Sequence, residues 1–256
     1  MEKKLRDKVF PFELDEMYKE CRLFCFHHAG GSVVIFNKWR NASPHVEIVP
    51  VEIPGRGPRI DEECMTDFGA LTQQLADAIA QVYDGRSFFI YGHSLGSAIA
   101  FETTYLLESR YDLRPEKLFV AGRHAPHKED PSTFQCSQGI EALKEDLLFQ
   151  GMLDEETIED GMFQKVFLPI IFNDYKLHER YEYCGSTIET PIVTLSGTED
   201  VNATKEIMKS WAEVTNGSFT QYEYAGNHFF PYEESEQQVV HTLLQEIKES
   251  IMTVTN

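Results

Sequence analysis

The fold of this chain is decided by residues 88–97, which read Phe88-Phe89-Ile90-Tyr91-Gly92-His93-Ser94-Leu95-Gly96-Ser97. An apolar run of strand length enters Gly-His-Ser-Leu-Gly, and the residues from Ala98 to Leu106 are predicted to form a helix. A serine in so tight a turn between a strand and a helix stands exposed above the sheet as a nucleophile. Gly92 and Gly96 lie where a Cβ atom would collide with the turn. Ser94 is therefore the predicted nucleophile, although isolated Gly-x-Ser-x-Gly sequences also occur by chance.

A serine hydroxyl needs a base and an orienting carboxylate before it can attack. In proteins that carry the nucleophile in such a strand-to-helix turn, the order along the chain is serine, acid, histidine. Of the three histidines well beyond the turn, His178 and His241 lie in predicted helices. His228 instead lies in a loop directly after the predicted strand 219–224. Because parallel sheets build their sites at the carboxyl ends of strands, His228 is the preferred base.

The acid is expected at the end of the preceding predicted strand, residues 191–196. That strand runs into Gly197-Thr198-Glu199-Asp200, and a helix is predicted over residues 204–215. Position favours Asp200, but Glu199 also qualifies. Either carboxylate can instead be a solvated loop acid or a charge at a helix N-terminus.

The negative oxygen of an acyl-transfer intermediate needs two backbone N–H donors. One is expected from Leu95, directly after the nucleophile. The other is expected from the loop His27-His28-Ala29-Gly30-Gly31-Ser32, which follows a predicted strand over residues 21–26 and is small enough to close on a carbonyl. Ala29 is the favoured donor there. The paired histidines suggest a metal, but no further ligands cluster at metal-site spacing, so neither a metal nor another cofactor is predicted.

Length and composition agree with one α/β domain. The chain has 256 residues, of which 42% are hydrophobic, enough for a large undivided core. Strands and helices alternate up to about Ala121, which predicts a mostly parallel central sheet with helices on both faces. Residues 1–20 form a charged extension, and residues 21–129 and 191–256 form the core.

Composition also bounds where the protein acts and what it binds. No segment has the apolar core of a signal peptide or the length of a membrane span. Five irregularly spaced cysteines indicate reduced thiols and a cytoplasmic protein. A net charge of −19 argues against nucleic acid and anionic membranes as partners. We expect a monomer.

Residues 130–190 interrupt the alternation of strands and helices. Their apolar residues recur at helical spacing, which predicts a helical insertion between the two core segments. The insertion can be an ordinary helical subdomain or a mobile lid over Ser94, bent at Pro169. As a lid, it would offer an acyl chain four apolar side chains: Phe149, Met152, Met162 and Phe163.

Several motifs follow one another in a fixed order across residues 21–251. They are Phe26-His27-His28-Ala29-Gly30-Gly31, Val51-Glu52-Ile53-Pro54-Gly55-Arg56-Gly57, Gly92-His93-Ser94-Leu95-Gly96, Phe167-Leu168-Pro169-Ile170-Ile171-Phe172-Asn173-Asp174-Tyr175, Gly197-Thr198-Glu199-Asp200 with Trp211 downstream, and Gly226-Asn227-His228-Phe229-Phe230. Together they resemble the stand-alone type II thioesterases of nonribosomal-peptide and polyketide synthesis, within the α/β-hydrolase superfamily.

The resemblance implies an α/β-hydrolase fold with a helical lid. It implies that Ser94, Asp200 and His228 form a catalytic triad, with the amides of Ala29 and Leu95 as oxyanion donors. It also implies a substrate, an acyl or aminoacyl thioester on the phosphopantetheine arm of a carrier domain, which the enzyme hydrolyses to clear a stalled synthase.

The sequence departs from the family pattern at a few positions. His27 replaces a usual proline, Ser97 replaces a usual glycine, and Phe172 or Asn173 stands where an arginine is often found. None is a triad position. These departures bear on the shape of the acyl pocket and on the packing behind Ser94.

Other functions remain open on the same elbow. They are a small-molecule carboxylesterase or thioesterase, an acyltransferase with an alcohol or amine acceptor, and a non-catalytic binding module. The last is disfavoured because all three triad residue types are present. For a carrier that is itself acidic, docking needs either an apolar face or a local basic patch; Arg56, Arg59 and Arg123 are candidates for that patch, or else ordinary salt-bridged surface residues.

Overall fold

The computed structural model describes residues 2–14, 19–129, 134–149, 153–183 and 185–254. Its strands form one six-stranded sheet in the order β2-β1-β3-β4-β5-β6, and every pairing in it is parallel. The strands are β1 (Cys21–Phe26), β2 (Val46–Val51), β3 (Phe88–His93), β4 (Leu118–Ala121), β5 (Ile192–Gly197) and β6 (Phe219–Tyr224). The predicted parallel sheet is therefore confirmed.

α-Helices precede β1, lie in connections between the strands and follow β6. They are α1 (Glu2–Val9), α2 (Phe68–Val82), α3 (Leu95–Tyr111), α4 (Ile140–Phe149), α5 (Glu155–Glu159), α6 (Leu168–Glu179), α7 (Lys205–Met208) and α8 (Glu236–Val254). The helix predicted over 204–215 is shorter than expected, because α7 passes into a 3₁₀ helix over Lys209–Val214.

Alternation along each strand divides the core between the two faces of the sheet. In β3, Phe88 and Ile90 pack into the cluster that holds α2 and α3, whereas Phe89 and Tyr91 pack into the cluster that holds α8. Side chains alternate across a strand, so a strand buried on both faces is apolar at every position. Helices on both faces, as predicted, are confirmed.

The segment before β1 also joins the core. Val9 and Phe10, at the end of α1, are buried against the α2–α3 face. The backbone N–H of Glu52 donates to the carbonyl of Val9 over 2.9 Å. This segment therefore packs on the loop that follows β2.

The strand order reverses between β1 and β3, since β2 lies outside β1 on one side and β4 lies outside β3 on the other. Open α/β sheets bind their ligands at such a point, in the crevice beyond the carboxyl ends of the strands. The loop after β1 begins at His27, and the turn after β3 holds Ser94. The topology therefore brings two of the predicted functional segments together.

Residues 134–149 and 153–183 are mostly helical and have a small core of their own, made by Phe134, Leu143, Leu147, Ile158, Leu168 and Ile171. A π-helical turn over Phe163–Phe167 leads into α6, and Pro169 follows in the first turn of that helix. A proline cannot donate to the preceding turn, and the π turn accommodates that gap. Asp130, the predicted start of the insertion, and Met152 lie outside the described residues.

Two of the predicted lid side chains are exposed, Phe149 at 92% and Met162 at 64%. Phe163 is half-buried and stacks on Phe167. Whether they face an acyl chain stays a prediction. Within the described residues, no helix combines the length and apolar character needed to cross a bilayer.

Candidate active site

The turn after β3 holds Ser94 in a strained backbone conformation, with φ 56° and ψ −119°. The Ser94 N–H donates to the carbonyl of Ala121 at the end of β4 over 2.8 Å. A Cβ at Gly92 would overlap the carbonyl of Gly96, and a Cβ at Gly96 would overlap the carbonyl of Phe26. Glycine is therefore required on both sides of the serine, as the sequence predicted, and the turn lies directly against the end of β1.

Ser97, which departs from the family pattern, links the turn to β4. Its side chain is fully buried, and its hydroxyl lies 2.9 Å from the carbonyls of Gly92 and Ala121. The same oxygen accepts the N–H of Ala121 over 3.2 Å. Where the family usually has a glycine, this chain therefore has a serine whose hydroxyl forms a hydrogen-bonded bridge behind Ser94.

Asp200 and His228 meet beyond the ends of β5 and β6. Nδ1 of His228 lies 2.8 Å from Oδ2 of Asp200, and the aspartate is only 4% exposed. Its other oxygen accepts the N–H groups of Asn202 and Ala203, each over 3.2 Å. Of the two acids left open by the sequence, Glu199 is exposed and Asp200 is the one bonded to the histidine.

The acid loop and the histidine loop are joined along their backbones. The N–H of Thr198 donates to the carbonyl of Tyr224 over 2.8 Å, and that of Glu199 donates to the carbonyl of Gly226 over 2.9 Å. A Cβ at Gly197 would overlap the carbonyls of Gly226 and Asn227. The two loops are therefore bonded to each other next to the Asp200–His228 pair.

His93, the residue before Ser94, holds the histidine loop against the turn. Its Nε2 lies 2.9 Å from the carbonyl of His228, and the two imidazole rings are 4.9 Å apart. Burial lowers the pKa of His93 well below its usual value, with His228 and His28 adding to the effect. A neutral imidazole then donates its Nε2–H to that carbonyl. This role was not predicted from the sequence, where the available signal was a histidine beside Ser94 at the end of an apolar strand.

The other late histidines stand elsewhere in the fold. His178 lies near the end of α6, and His241 is exposed on α8. The hydrogen bond to the Asp200 carboxylate comes from His228. The structure therefore brings together the acid and base that the sequence preferred.

The loop after β1 presents its amides in different directions. The Gly30 N–H donates to Oδ2 of Asp174 over 2.7 Å, and the Gly31 N–H donates to the carbonyl of His28 over 3.0 Å. With both engaged, the amide of Ala29 is the candidate donor in this loop. Leu95 opens α3, where the first N–H groups of a helix lack partners within it.

His27, which stands where the family usually has a proline, is buried beside the carboxylate of Glu52. Its Nε2 lies 3.1 Å from a carboxylate oxygen of Glu52, and its Nδ1 lies 2.9 Å from the carbonyl of His28. Oε2 of Glu52 accepts the N–H of Val33 over 3.2 Å. The loop after β1 is therefore tied to the loop after β2 by polar contacts that a proline could not make.

The three arginines that were candidates for a basic docking patch are buried. Arg56, Arg59 and Arg123 are 3%, 2% and 8% exposed, so they are neither a docking patch nor ordinary surface residues. Arg56 pairs with Asp174, and Arg59 binds Glu62 and the carbonyl of Glu52. Charged residues in a loop are exposed by default, and only their tertiary partners explain this burial.

The described residues contain no group of three or more histidine, cysteine or acidic side chains placed to hold a metal ion. Cys21, Cys25, Cys64 and Cys136 are free thiols, and the first two are buried within β1 as ordinary core residues.

The chain is similar in sequence and in fold to known thioesterases. Residues 21–247 match the family model described as a thioesterase domain. The chain is 32% identical over 229 residues to linear gramicidin dehydrogenase LgrE of Brevibacillus parabrevis, covering 85% of this chain and 84% of the relative. It is 33% identical over 211 residues to thioesterase PikA5 of Streptomyces venezuelae, covering 82% and 75%. The solved structure of the type II thioesterase BorB, from the borrelidin biosynthetic cluster, superposes with a TM-score of 0.79 at 28% identity, over 91% of this chain and 94% of that one.

Proposed function

The chain belongs to the thioesterase domain family, and on that premise we propose that it is an editing thioesterase of the type II class. It hydrolyses acyl or aminoacyl thioesters from the phosphopantetheine arms of carrier domains in nonribosomal-peptide or polyketide synthesis. PikA5 is named a thioesterase and BorB a type II thioesterase of a biosynthetic cluster, which supports this assignment.

The proposed mechanism is acyl transfer through Ser94. Nε2 of His228 takes the serine proton as Oγ attacks the thioester carbonyl, and the amides of Ala29 and Leu95 hold the resulting oxyanion. The C–S bond then breaks, and His228 returns the proton to the leaving thiolate. Water, deprotonated by His228, attacks the ester on Ser94 and releases the acid.

The observation that carries this proposal is the 2.8 Å bond between Asp200 and His228, held beside the strained turn of Ser94. Nδ1 faces the carboxylate, which leaves Nε2 as the nitrogen for the nucleophile. The contact of His93 with the carbonyl of His228 keeps the base next to that turn. A buried carboxylate stabilises the imidazolium that forms when the serine is deprotonated.

The remaining assignments belong to the same proposal. The insertion over residues 130–190 acts as a lid on the core of residues 21–129 and 191–256, supported by its separate apolar cluster. The free thiols support action in the cytoplasm, where we take the protein to be a monomer. Val34 and Val201, which follow the two site loops, are 60% and 75% exposed, which supports an apolar docking face for the carrier.

The test compares release of one acyl group from three sources: a phosphopantetheinylated carrier, a small pantetheine thiol and an oxygen ester. Ser94→Ala is the control. We expect serine-dependent hydrolysis with a large preference for the carrier, and this preference should persist at about 0.5 M salt if docking is apolar. Faster turnover of the oxygen ester, or indifference to the carrier, would make the protein a general esterase.

Two further arms separate the other functions. An alcohol or amine acceptor added to the assay reports acyl transfer, since an acyltransferase forms the ester or amide instead of the acid. A nicotinamide cofactor is added because one relative is named a dehydrogenase. Formation of an aldehyde from the thioester in that arm would replace hydrolysis by reductive release.

A further inference from the structure

Residues of three separate sequence motifs meet at the carboxylate of Asp174, in α6 of the insertion. Arg56, in the loop after β2, donates to it through Nη1 over 2.5 Å and through Nη2 over 2.6 Å. Gly30, in the loop after β1, donates its N–H to Oδ2 over 2.7 Å. The partners are 118 and 144 residues distant in sequence, so only the fold brings them together.

The position of this carboxylate is tightly defined. Asp174 is 2% exposed and Arg56 is 3% exposed. Burial acts to lower the pKa of Arg56, but the charge and hydrogen bonds of Asp174 outweigh it, and the pKa is raised. The bidentate contact of a planar guanidinium fixes the orientation of a carboxylate as well as its place.

Helix α6 holds the same loop by a second contact. Gly30 has φ +74°, and a Cβ there would overlap the side chain of Ile171. Ile171 and Asp174 are three residues apart, so they lie on one face of the helix. On one face of α6, Ile171 therefore packs against Gly30 and Asp174 accepts the Gly30 N–H.

Gly30 is adjacent to Ala29, the candidate oxyanion donor. The hydrogen bond to Asp174 engages the Gly30 N–H and fixes the peptide plane between the two residues. A buried ion pair is weak evidence for stability, because apolar residues of similar volume often serve as well. What a carboxylate adds here is an acceptor for the Gly30 N–H.

We propose that Asp174, anchored by Arg56, is a positioning residue that sets the oxyanion loop and so makes transition-state stabilisation depend on the seating of α6. The inference rests on the proposed thioesterase function. It predicts that loss of the acceptor lowers kcat and leaves ground-state binding in place, since the oxyanion forms only as the carbonyl is attacked.

The test uses two double variants that both remove the buried charges. Arg56→Met with Asp174→Leu removes the acceptor, whereas Arg56→Met with Asp174→Asn keeps a carbonyl oxygen for Gly30. We expect the leucine variant to lose about 100- to 1000-fold in kcat, the loss typical of one missing oxyanion donor. The asparagine variant should stay within about tenfold of wild type.

Inhibitor binding separates positioning from general damage. Ser94 adds to the carbonyl of a trifluoromethyl ketone analogue of an acyl-pantetheine, and the adduct places an oxyanion in the site. The matching thioether has no carbonyl and forms no such adduct. In the leucine variant, we expect affinity for the ketone to fall in step with kcat and affinity for the thioether to change less than about threefold. Wild-type hydrolysis and its loss in Ser94→Ala test the underlying function separately.

One control and one alternative variant complete the design. Glu47→Gln alters another buried carboxylate, which binds Arg22 at the far side of the sheet, and should leave kcat unchanged. If the leucine variant does not fold, Asp174→Glu keeps a carboxylate for Arg56 but displaces its oxygens from Gly30, and the same loss is expected. Wild-type kcat in the folded acceptor-free variant, or equal losses of ketone and thioether affinity, would overturn the proposal.

Discussion

Asp200 and His228 are joined by a 2.8 Å contact between Oδ2 and Nδ1, at the ends of two neighbouring strands whose loops are themselves hydrogen-bonded. The remaining aspartate oxygen is satisfied by the N–H groups of Asn202 and Ala203. A carboxylate held from both sides can fix only one orientation of the imidazole. This relationship makes the neighbouring acid, Glu199, a natural control.

Asp200→Asn should lower kcat by about 10⁴-fold, because the amide favours the wrong tautomer of the histidine. Glu199→Gln should change kcat less than about twofold, since that side chain is exposed. Steady-state kinetics on a pantetheine thioester measure both. A larger loss in the glutamine variant would move the acid role to Glu199.

Ser94→Ala should reduce turnover by about a millionfold, as expected when the nucleophile of a serine hydrolase is removed. The variant should still fold, because the strained turn loses only an oxygen. A fluorophosphonate probe should label the wild type and leave the variant unlabelled. A tenfold loss, or undiminished labelling, would contradict the assignment of the nucleophile.

The insertion should exchange its amide hydrogens faster than the sheet if it acts as a lid. Its own cluster is small and it exposes large apolar side chains, including Phe149 and Phe167. Few buried contacts mean a low cost of local opening. Hydrogen exchange should therefore be faster in α4 than in β3, and equal protection of the two would argue for an ordinary subdomain.

The turn around Ser94 and the contact of Asp200 with His228 could be predicted, because each of these residues stands in a short motif at the end of a strand. A Cβ at Gly92 would overlap the carbonyl of Gly96 within the turn itself, and the ends of β5 and β6 bring Asp200 to His228. The Asp174–Gly30 contact could not be predicted in the same way, since nothing local to either residue indicates a partner 144 residues distant. The burial of Arg56 could not be predicted for the same reason, because its partner Asp174 lies on the insertion.

Ser97→Ala should lower the free energy of unfolding by about 1–3 kcal/mol, because it removes a buried hydroxyl that accepts the N–H of Ala121. The hydroxyl bridges the turn to β4 through Ala121. Ser109→Ala is the matched control, because Ser109 lies on the same helix and its hydroxyl bonds only the exposed carbonyl of Tyr105. Urea denaturation should show a change within about 0.5 kcal/mol for the control, and equal effects of the two would mean that the bridge contributes nothing.

His93 should make the protein less stable as the pH falls. Burial holds its pKa in the fold well below the usual value, so the unfolded chain binds a proton that the folded chain does not. Stability from this residue is therefore full above the unfolded pKa of about 6.5 and is lost progressively below it.

Between pH 7 and pH 5 this loss amounts to about 2 kcal/mol. His93→Gln removes the titrating group and keeps an N–H for the carbonyl of His228. The drop in unfolding free energy between those two pH values should then be smaller in the variant by about that amount, measured by urea denaturation at each pH. The same drop in both proteins would mean that His93 is also protonated in the folded protein. Its Nδ1 has no partner among the described residues, so it would then have to donate to a group that the structure does not place there.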